Sequence, residues 1–293
     1  MRGSFLFIAG IYFVVICASS VRADDEPNWD RPEFEQVQVD RWLTYYLQQA
    51  QKYEIIADAR PGEPFELVNA SLWDFTDLEA PAQQHGSIFL WTKEGRPQVV
   101  AALWSPIWLG KFRKVAHEFH SVTNEPLTAT IDGSVVWNPR TKGINFKPVP
   151  DAPAVAPTKP LRTAQLRRLS LEFTGYHSRG KGEAELWMVQ TPIYRYPERP
   201  DSDEDGALFV FPFEQDPEVL LLIETKQVGG ELQWQFSPMR LTDTPARLTF
   251  QGEEVWKVAR AKFTRNFLNE EFDPFHALFY ETRNKLLSEE ELE

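Results

Sequence analysis

The sequence predicts an α+β fold in which one unit occurs twice in tandem, each copy being a helix followed by an antiparallel β-meander of about five strands. Three observations predict it. Short runs rich in Val, Ile, Phe and Trp recur about every ten residues, both halves open with an amphipathic segment, and no strand is followed by a crossover helix of its own. We expect a pseudo-twofold axis between the copies, and their sheets could be fused into one continuous sheet.

The first 23 residues have the pattern of a secretory signal peptide. Arg2 precedes an apolar run from Phe5 to Cys17, and the segment ends at Ala23 with the small-x-small cleavage pattern VRA. This run has about a dozen residues, whereas a helix that spans a bilayer needs about 20. We therefore expect an exported protein, periplasmic, at the cell surface or extracellular, with no transmembrane segment.

Charge and cysteine content limit the chemistry and the partners. The formal net charge is −12, and loss of the two arginines of the leader makes it −14, so the phosphates of a nucleic acid would be repelled. Cys17 is the only cysteine and lies in the leader, so neither disulfides nor thiol chemistry is expected in the remaining chain. Residues 24–37 form an acidic N-terminal segment before the first unit.

An internal repeat defines the two units. A constant offset of 120 residues relates Gly86, Phe89, Pro97 and Val99 to Gly206, Phe209, Pro217 and Val219. The pattern G-x-x-V-W recurs at 133–137 and 252–256, and EFHS at 118–121 matches WQFS at 234–237 after a small gap. We expect the first glycine of each set to permit a turn and the proline to end a hairpin loop.

Each unit begins with a helix and continues with strands. The first unit covers 38–146 and opens with a helix at 41–53, and the second covers 161–258 and opens with a helix at 162–173, because apolar residues in both segments share one face. Strands are expected in the first unit at 65–70, 87–92, 98–104, 115–122 and 126–137, and in the second at 184–189, 207–213, 218–225, 231–237 and 246–258.

Two further segments lie outside the units. Residues 147–160 contain five prolines in fourteen positions, which predicts an extended linker. Residues 259–293 carry phenylalanines three to five residues apart on both sides of Pro274, which predicts a helical segment interrupted at that proline. The final LSEEELE is too acidic to bury, so we expect an unpacked acidic tail.

The sharpest metal-binding pattern is DSDEDG at 201–206. Asp201, Asp203 and Asp205 stand at alternate positions before a glycine, as in the opening of calcium-binding loops. An EF-hand needs a bidentate glutamate at the twelfth loop position, where this chain has Pro212, so the helix-loop-helix form is excluded. A looser Ca²⁺ site and a solvated acidic turn remain as alternatives.

The candidates for acid–base chemistry are His117, Glu118 and Glu224. His117-Glu118-Phe119-His120 is one residue shorter than the H-E-x-x-H zinc motif and lies in a predicted strand, where the two imidazoles would point to opposite faces. His117 and Glu118 can still act as acid or base. Glu224 ends a run of apolar residues, where burial would raise its pKa, or it marks the point where the strand leaves the core.

No complete catalytic pattern is present in the sequence. It lacks the signatures of a nucleophile elbow, a phosphate-binding loop, a dinucleotide-binding turn and a Cys-x-x-Cys pair. The many aromatic residues favour an exported non-enzymatic binding or interaction module for a small molecule or a protein, with no cofactor. The alternatives are a periplasmic hydrolase that uses carboxylate and histidine acid–base chemistry, and a structural calcium-binding protein.

Several strings together resemble one family. GSIFLWTKEGRP, AHEFHSV, GSVVWNP, TPIYRYP and DGALFVF followed by DPEVLLLIE are similar to a group of exported proteins of unknown function from planctomycete-type bacteria. The resemblance covers residues 38–258 and implies a bacterial exported protein. It implies no activity, ligand or site.

Overall fold

The computed structural model of the protein describes residues 32–77, 83–110, 112–179, 182–199, 202, 204–262, 267–268 and 273–292. These residues form an α+β structure of mostly antiparallel sheets with two α-helices. The predicted leader lies outside the described residues. No helix in the described part of the chain has both the length and the apolar character that crossing a membrane requires.

The described residues of the first half form one helix and nine strands. They are α1 Pro32–Gln51, β1 Tyr53–Ala57, β2 Glu66–Leu67, β3 Trp73–Asp77, β4 Gln84–Lys93, β5 Arg96–Ser105, β6 Ile107–Trp108, β7 Phe112–Ser121, β8 Leu127–Ile131 and β9 Ser134–Trp137.

The second half and the C-terminal segment contain the remaining elements. They are β10 Lys147–Pro148, α2 Lys159–Ser170, β11 Phe173–Arg179, β12 Gly182–Leu186, β13 Tyr194–Arg195, β14 Gly206–Phe213, β15 Asp216–Val228, β16 Glu231–Arg240, β17 Ala246–Phe250, β18 Glu253–Val258, β19 Phe267–Leu268, β20 Phe275–Asn284 and a 3₁₀ helix, Glu290–Leu292.

The described strands form four separate sheets rather than one continuous sheet. The first outer sheet has the order β1-β8-β9. The first inner sheet has the order β19-β20-β7-β5-β4-β2, and in addition β3 pairs with β4 and β6 pairs with β7. The second inner sheet has the order β10-β16-β15-β14-β13, and the second outer sheet has the order β12-β11-β17-β18.

Strands of the inner sheets are buried on both faces, which explains their nearly continuous apolar sequence. Successive side chains of a strand point to opposite faces. Phe89 therefore packs with α1 and the first outer sheet, while Ile88 points the other way. In the second half, Phe209 packs with α2 and the second outer sheet, and Leu208 lies in the same cluster as Ile88. The two inner sheets thus face each other across a shared apolar core.

Both halves use the same order for their main strands. The order β1-β8-β9 matches β11-β17-β18, and β7-β5-β4 matches β16-β15-β14. Val99 pairs with Ser121, and Val219 pairs with Arg240. Ser121 thus corresponds to Arg240, an offset of 119 residues (121 to 240), so the match of EFHS with WQFS was wrong by three residues.

The repeated glycines Gly86 and Gly206 do not form turns, contrary to the sequence prediction. Each lies in a strand beside an aromatic ring: a Cβ on Gly86 would lie 2.5 Å from Cζ of Phe75, and one on Gly206 would lie 2.8 Å from Cζ of Tyr196. Phe75 is also the cross-strand partner of Gly86. The glycines are needed because the rings occupy the space of a side chain.

Both helices end earlier than predicted, and a strand follows each of them. α1 ends at Gln51 and α2 at Ser170, so Tyr53 and Phe173, expected as the last helical residues, begin β1 and β11 instead. The predicted linker is mostly without regular structure, but Lys147 and Pro148 pair with β16 as β10.

The helical segment predicted near the C-terminus was wrong over residues 275–284. These residues form β20, which pairs with β7 along most of its length. The acidic tail is also not free of the core, because Leu287 is 1% exposed and its carbonyl accepts hydrogen bonds from Gln38 and Arg41 of α1. Phenylalanines four residues apart also share one face of a strand, so their spacing did not decide between the two structures.

Candidate functional site

A cavity of about 290 Å³ lies where the two inner sheets meet, and we name it the inter-sheet cavity. The first inner sheet contributes residues of β3, β4, β5 and β7 of the first half and of β20 of the C-terminal segment, and the second half contributes the start of β15 and the residues that follow β16. The cavity is therefore built jointly by both halves of the chain. Clefts between packed units are common places for ligands.

Four carboxyl groups line the inter-sheet cavity: Glu118, Asp216, Glu218 and Asp243. Asp216 accepts a hydrogen bond of 2.7 Å from Nε2 of Gln84, which joins the two halves. The residues of the described chain that line this cavity include no lysine and no arginine. Both halves of the chain thus contribute acidic side chains to the lining.

Glu118 is the buried acid of this cavity, with only 5% of its surface exposed. Its Oε2 accepts a hydrogen bond of 3.1 Å from the indole Nε1 of Trp104, whereas its Oε1 has no hydrogen-bond partner among the described residues. Burial, together with the nearby Asp216 and Glu218, raises the pKa of Glu118 to about 8. At neutral pH this carboxyl group is therefore mostly protonated and can donate a hydrogen bond.

Glu218 reaches the cavity because it occupies a β-bulge. Val219 pairs with Phe211 and Pro217 pairs with Pro212, so the register of β14 with β15 skips Glu218. A bulge re-aims the side chain of the extra residue. The Oε2 of Glu218 lies 3.2 Å from Nδ1 of His177, and both side chains are buried.

Aromatic rings form the rest of the wall. Phe75, Trp104 and Phe279 line the cavity, and the rings of Trp104 and Phe279 meet edge to face at 6.4 Å. Aromatic faces carry partial negative charge and offer a large apolar surface to a ligand. The described part of the chain contains no group of three or more acidic, histidine or cysteine residues close enough to hold a metal ion.

A second cavity, of about 480 Å³, surrounds Glu224 and is named the Arg96 cavity. Glu224 accepts hydrogen bonds from the hydroxyl of Tyr196 and from Nη2 of Arg96 at 3.1 Å, and Nζ of Lys226 lies 2.8 Å from its Oε1. Burial and the neighbouring carboxylate raise the pKa of Tyr196 well above its usual value. The charge of Glu224 is thus matched by cations of the protein itself.

The acid–base candidates do not converge on one cavity. Glu118 lines the inter-sheet cavity, and Glu224 lines the Arg96 cavity. Glu224 stands six residues beyond Glu218 on β15, roughly 20 Å along an extended strand.

His117 points to the opposite face of β7 from Glu118. Its Nδ1 lies within hydrogen-bond distance of the hydroxyl of Tyr53, and its ring stacks on Tyr280 at 4.7 Å. Burial lowers the pKa of His117 to about 3. His120 lies on the same face as Glu118, because it stands two positions further along the strand, and burial lowers its pKa to about 4.

The acidic string at 201–206 is only partly described. Asp201 and Asp203 lie outside the described residues. The carboxylate of Asp205 is 3% exposed and accepts hydrogen bonds from Arg162, at 2.6 Å, and from Arg195. Burial opposes its ionisation, but these arginine contacts outweigh burial and lower the pKa of Asp205.

Sequence reasoning identified Glu118 but missed its setting. Asp216, Glu218, Asp243 and Trp104 were not singled out, because they come together only when the two inner sheets pack. The sequence contained one indication of this setting. Glu218 follows the repeated Pro217, at the position where the first half has Gln98 after Pro97.

Comparison with known proteins adds no relative to this description. No protein-family model matches the chain, and neither the curated proteins nor the solved structures contain a match to it.

Proposed function

We propose that the protein is an exported, non-enzymatic binding module whose ligand occupies the inter-sheet cavity. The single observation that carries this proposal is Glu118, which lines the cavity and whose buried Oε1 has no hydrogen-bond partner among the described residues. A buried polar atom without a partner is costly, so a ligand that contacts it gains affinity. The site consists of a few polar groups among aromatic walls, the usual composition of a small-molecule pocket.

The separation of the acid–base candidates supports binding rather than hydrolysis. A hydrolase of the kind considered from the sequence would need Glu118, Glu224 and His117 around one substrate. Glu118 and Glu224 line different cavities, and His117 is enclosed by Tyr53 and Tyr280.

Tandem duplication is the proposed origin of the two halves. The common strand order supports it, as does a bulge at the same place in each main hairpin, where the strand register skips Gln98 and Glu218. The backbone around these bulges agrees as well: Val122 donates to the carbonyl of Gln98 at 2.7 Å, and Leu241 donates to that of Glu218 at 2.8 Å.

Export is supported by the leader pattern of residues 1–23, and the intact mass of the protein recovered outside the cytoplasm tests it. A chain that starts at Asp24 is expected. A full-length product in the cytoplasm would contradict export.

Binding is tested by screening small compounds of positive, neutral and negative charge against ¹⁵N-labelled protein. The indole N–H resonance of Trp104, assigned with Trp104→Phe, reports on the cavity because this group contacts Glu118. We expect at least one compound to shift this resonance and to raise the melting temperature, in the wild type and in the control Glu54→Gln, which alters an exposed strand residue. If no compound of any charge shifts the resonance, the proposal is wrong.

A further inference from the structure

One short hairpin presents apolar side chains to the solvent. It joins β6 to β7, and we name residues 106–114, PIWLGKFRK, the apolar hairpin. Leu109 is 72% exposed, and Trp108 and Phe112 are exposed as well. Trp108 and Phe112 pair across the two strands, and their ring centres lie 6.5 Å apart. The three side chains therefore share the end of this hairpin.

Leu109 also has an unfavourable backbone conformation. Its φ is 53° and that of Gly110 is 69°, in the left-handed region where a bulky side chain is rare. The other non-glycine residues of positive φ in the described part of the chain are all polar: Gln83, Glu94, Asp132, Asp151, Glu214 and Gln251. An asparagine at position 109 would relieve the strain and would expose no apolar side chain. Folding alone therefore does not account for a leucine at this position.

Positive charge accompanies the apolar side chains. The apolar hairpin contains three basic residues and no acidic one, although the formal net charge of the whole chain is −12. The three are Lys111, Arg113 and Lys114. Arg113 is buried and donates to backbone carbonyls of the fold. Nζ of Lys114, in contrast, lies 5.2 Å from the centre of the Trp108 ring, so its ammonium group is on the side of the exposed rings.

A lipid surface fits this combination better than a protein partner does. A stable protein interface buries about 800 Å² on each partner, far more than three side chains at the end of one hairpin can cover. Shallow insertion into a bilayer needs no such area. Tryptophan is favoured at the level of the head groups, leucine and phenylalanine enter the boundary with the acyl chains, and lysine beside them is attracted by anionic lipids.

We propose that the apolar hairpin inserts into a lipid surface with anionic head groups and thereby holds the protein at a membrane. Trp108, Leu109 and Phe112 enter the boundary between head groups and acyl chains, and the ammonium group of Lys114 pairs with lipid phosphates. The inference goes beyond the proposed binding function and does not depend on it.

Docking by this hairpin brings the inter-sheet cavity close to the membrane. Nζ of Lys114 lies 5.1 Å from the centre of the Phe279 ring, which lines the cavity. A ligand of the cavity would therefore be taken up or released near the lipid.

Vesicle flotation tests the docking, with protein that lacks residues 1–23 so that the apolar run of the leader does not itself bind lipid. We expect the protein to float with vesicles of phosphatidylcholine mixed with phosphatidylglycerol, and to bind phosphatidylcholine alone about fivefold more weakly. Lys114→Gln should weaken binding to the mixed vesicles by about fivefold. Failure to float with the mixed vesicles, or equal binding to both kinds, would overturn the proposal.

Leu109→Asn separates membrane binding from folding. The variant should weaken binding to the mixed vesicles by about tenfold or more, because an apolar side chain is lost from the inserted tip. Its melting temperature should be equal to or above that of the wild type, because asparagine tolerates the positive φ. Leu171→Asn, the same change at an exposed leucine directly after α2, is the matched control and should bind as the wild type does. Equal binding by Leu109→Asn and the wild type would contradict insertion of the hairpin.

A nitroxide-labelled lipid locates the contact. In bicelles that contain this lipid, the indole N–H resonance of Trp108, assigned with Trp108→Phe, should broaden in ¹⁵N-labelled protein. The resonance of Trp187, an exposed tryptophan that follows β12 in the second half, should stay sharp. Equal broadening of the two would refute docking through the hairpin. Self-association in sedimentation that Leu109→Asn abolishes, without binding to vesicles, would show that the hairpin contacts a second copy instead of lipid.

Discussion

Arg96 of the first half and Glu224 of the second half form a partly buried ion pair, with Nη2 of Arg96 3.1 Å from Oε1 of Glu224. The Glu224 side chain is 3% exposed and that of Arg96 21% exposed, so solvent screens the pair only weakly. The pair joins β5 to β15 and thereby ties together two segments that are far apart in sequence.

We predict that Arg96→Gln lowers the free energy of unfolding by about 1–3 kcal/mol, because it leaves the buried Glu224 with Lys226 as its remaining cation. Urea unfolding of Arg96→Gln, Glu224→Gln and the double variant measures the coupling, and the double variant should cost less than the sum of the single ones. Arg60→Gln is the control, because its partner Glu125 is 43% exposed, and about 0–1 kcal/mol is expected there. Strict additivity would show that the pair contributes nothing.

Glu118→Gln should stabilise the protein at alkaline pH. The pKa of Glu118 is raised from 4.5 to about 8 by folding, so the folded state holds the proton more tightly and its stability falls as pH rises between these values. The variant lacks this titration. We expect a gain of about 2–4 kcal/mol at pH 9 and little change at pH 4, measured by urea unfolding, with Glu54→Gln as control. Equal effects at both pH values would contradict the raised pKa.

Asp205→Asn should have the opposite pH dependence. Folding lowers the pKa of Asp205 below 3.8, so its ionised form adds stability above that pH, and this contribution is lost as the pH falls through the folded-state pKa. We expect a cost of about 1–3 kcal/mol at pH 7, where Arg162 and Arg195 lose their shared partner, and a smaller cost at pH 3. Asp132→Asn, in an exposed turn, serves as control. A loss that is the same at both pH values would indicate a purely steric effect.

Gly86→Ala should destabilise the protein although the change adds one methyl group. The new Cβ would lie 2.5 Å from Cζ of Phe75 and 2.5 Å from Cβ of Trp104. We expect a loss of about 1–3 kcal/mol, the usual cost of overpacking. Gly182→Ala is a matched control, because no atom lies within 4 Å of its Cβ and the backbone there has no positive φ. Similar melting temperatures for the two variants would contradict the steric explanation.

Leu287→Ala tests whether the end of the chain belongs to the core. Leu287 is 1% exposed and packs in the cluster that contains Trp42, so truncation should cost about 2–5 kcal/mol. The neighbouring Leu286 is 37% exposed, and Leu286→Ala should change stability by less than about 0.5 kcal/mol. Thermal melts of the two variants are compared directly. Equal melting temperatures of the two variants would contradict the packing of Leu287 in the core and would support the unpacked tail predicted from its acidity.

The sequence predicted the strands whose neighbours in the sheet are also neighbours in the chain. β4 and β5 were recognised because both have long apolar runs and a two-residue turn, in which Glu94 and Gly95 have positive φ, joins them. β20 was missed because its partner β7 lies more than 150 residues earlier in the chain. The same limit applies to the site: Glu118 stands out as a charged residue in an apolar strand, but Asp216 and Glu218 reach it only through packing of the two inner sheets.

The apolar core between the inner sheets is formed by residues of both halves. Ile88, Leu90 and Val100 of the first half are shielded from water by Leu208, Leu220 and other residues of the second. A half separated from its partner would expose this face, which an isolated sheet cannot cover by itself. We therefore expect the two halves to unfold as one cooperative unit, so that a calorimetric scan shows a single heat-absorption peak instead of two.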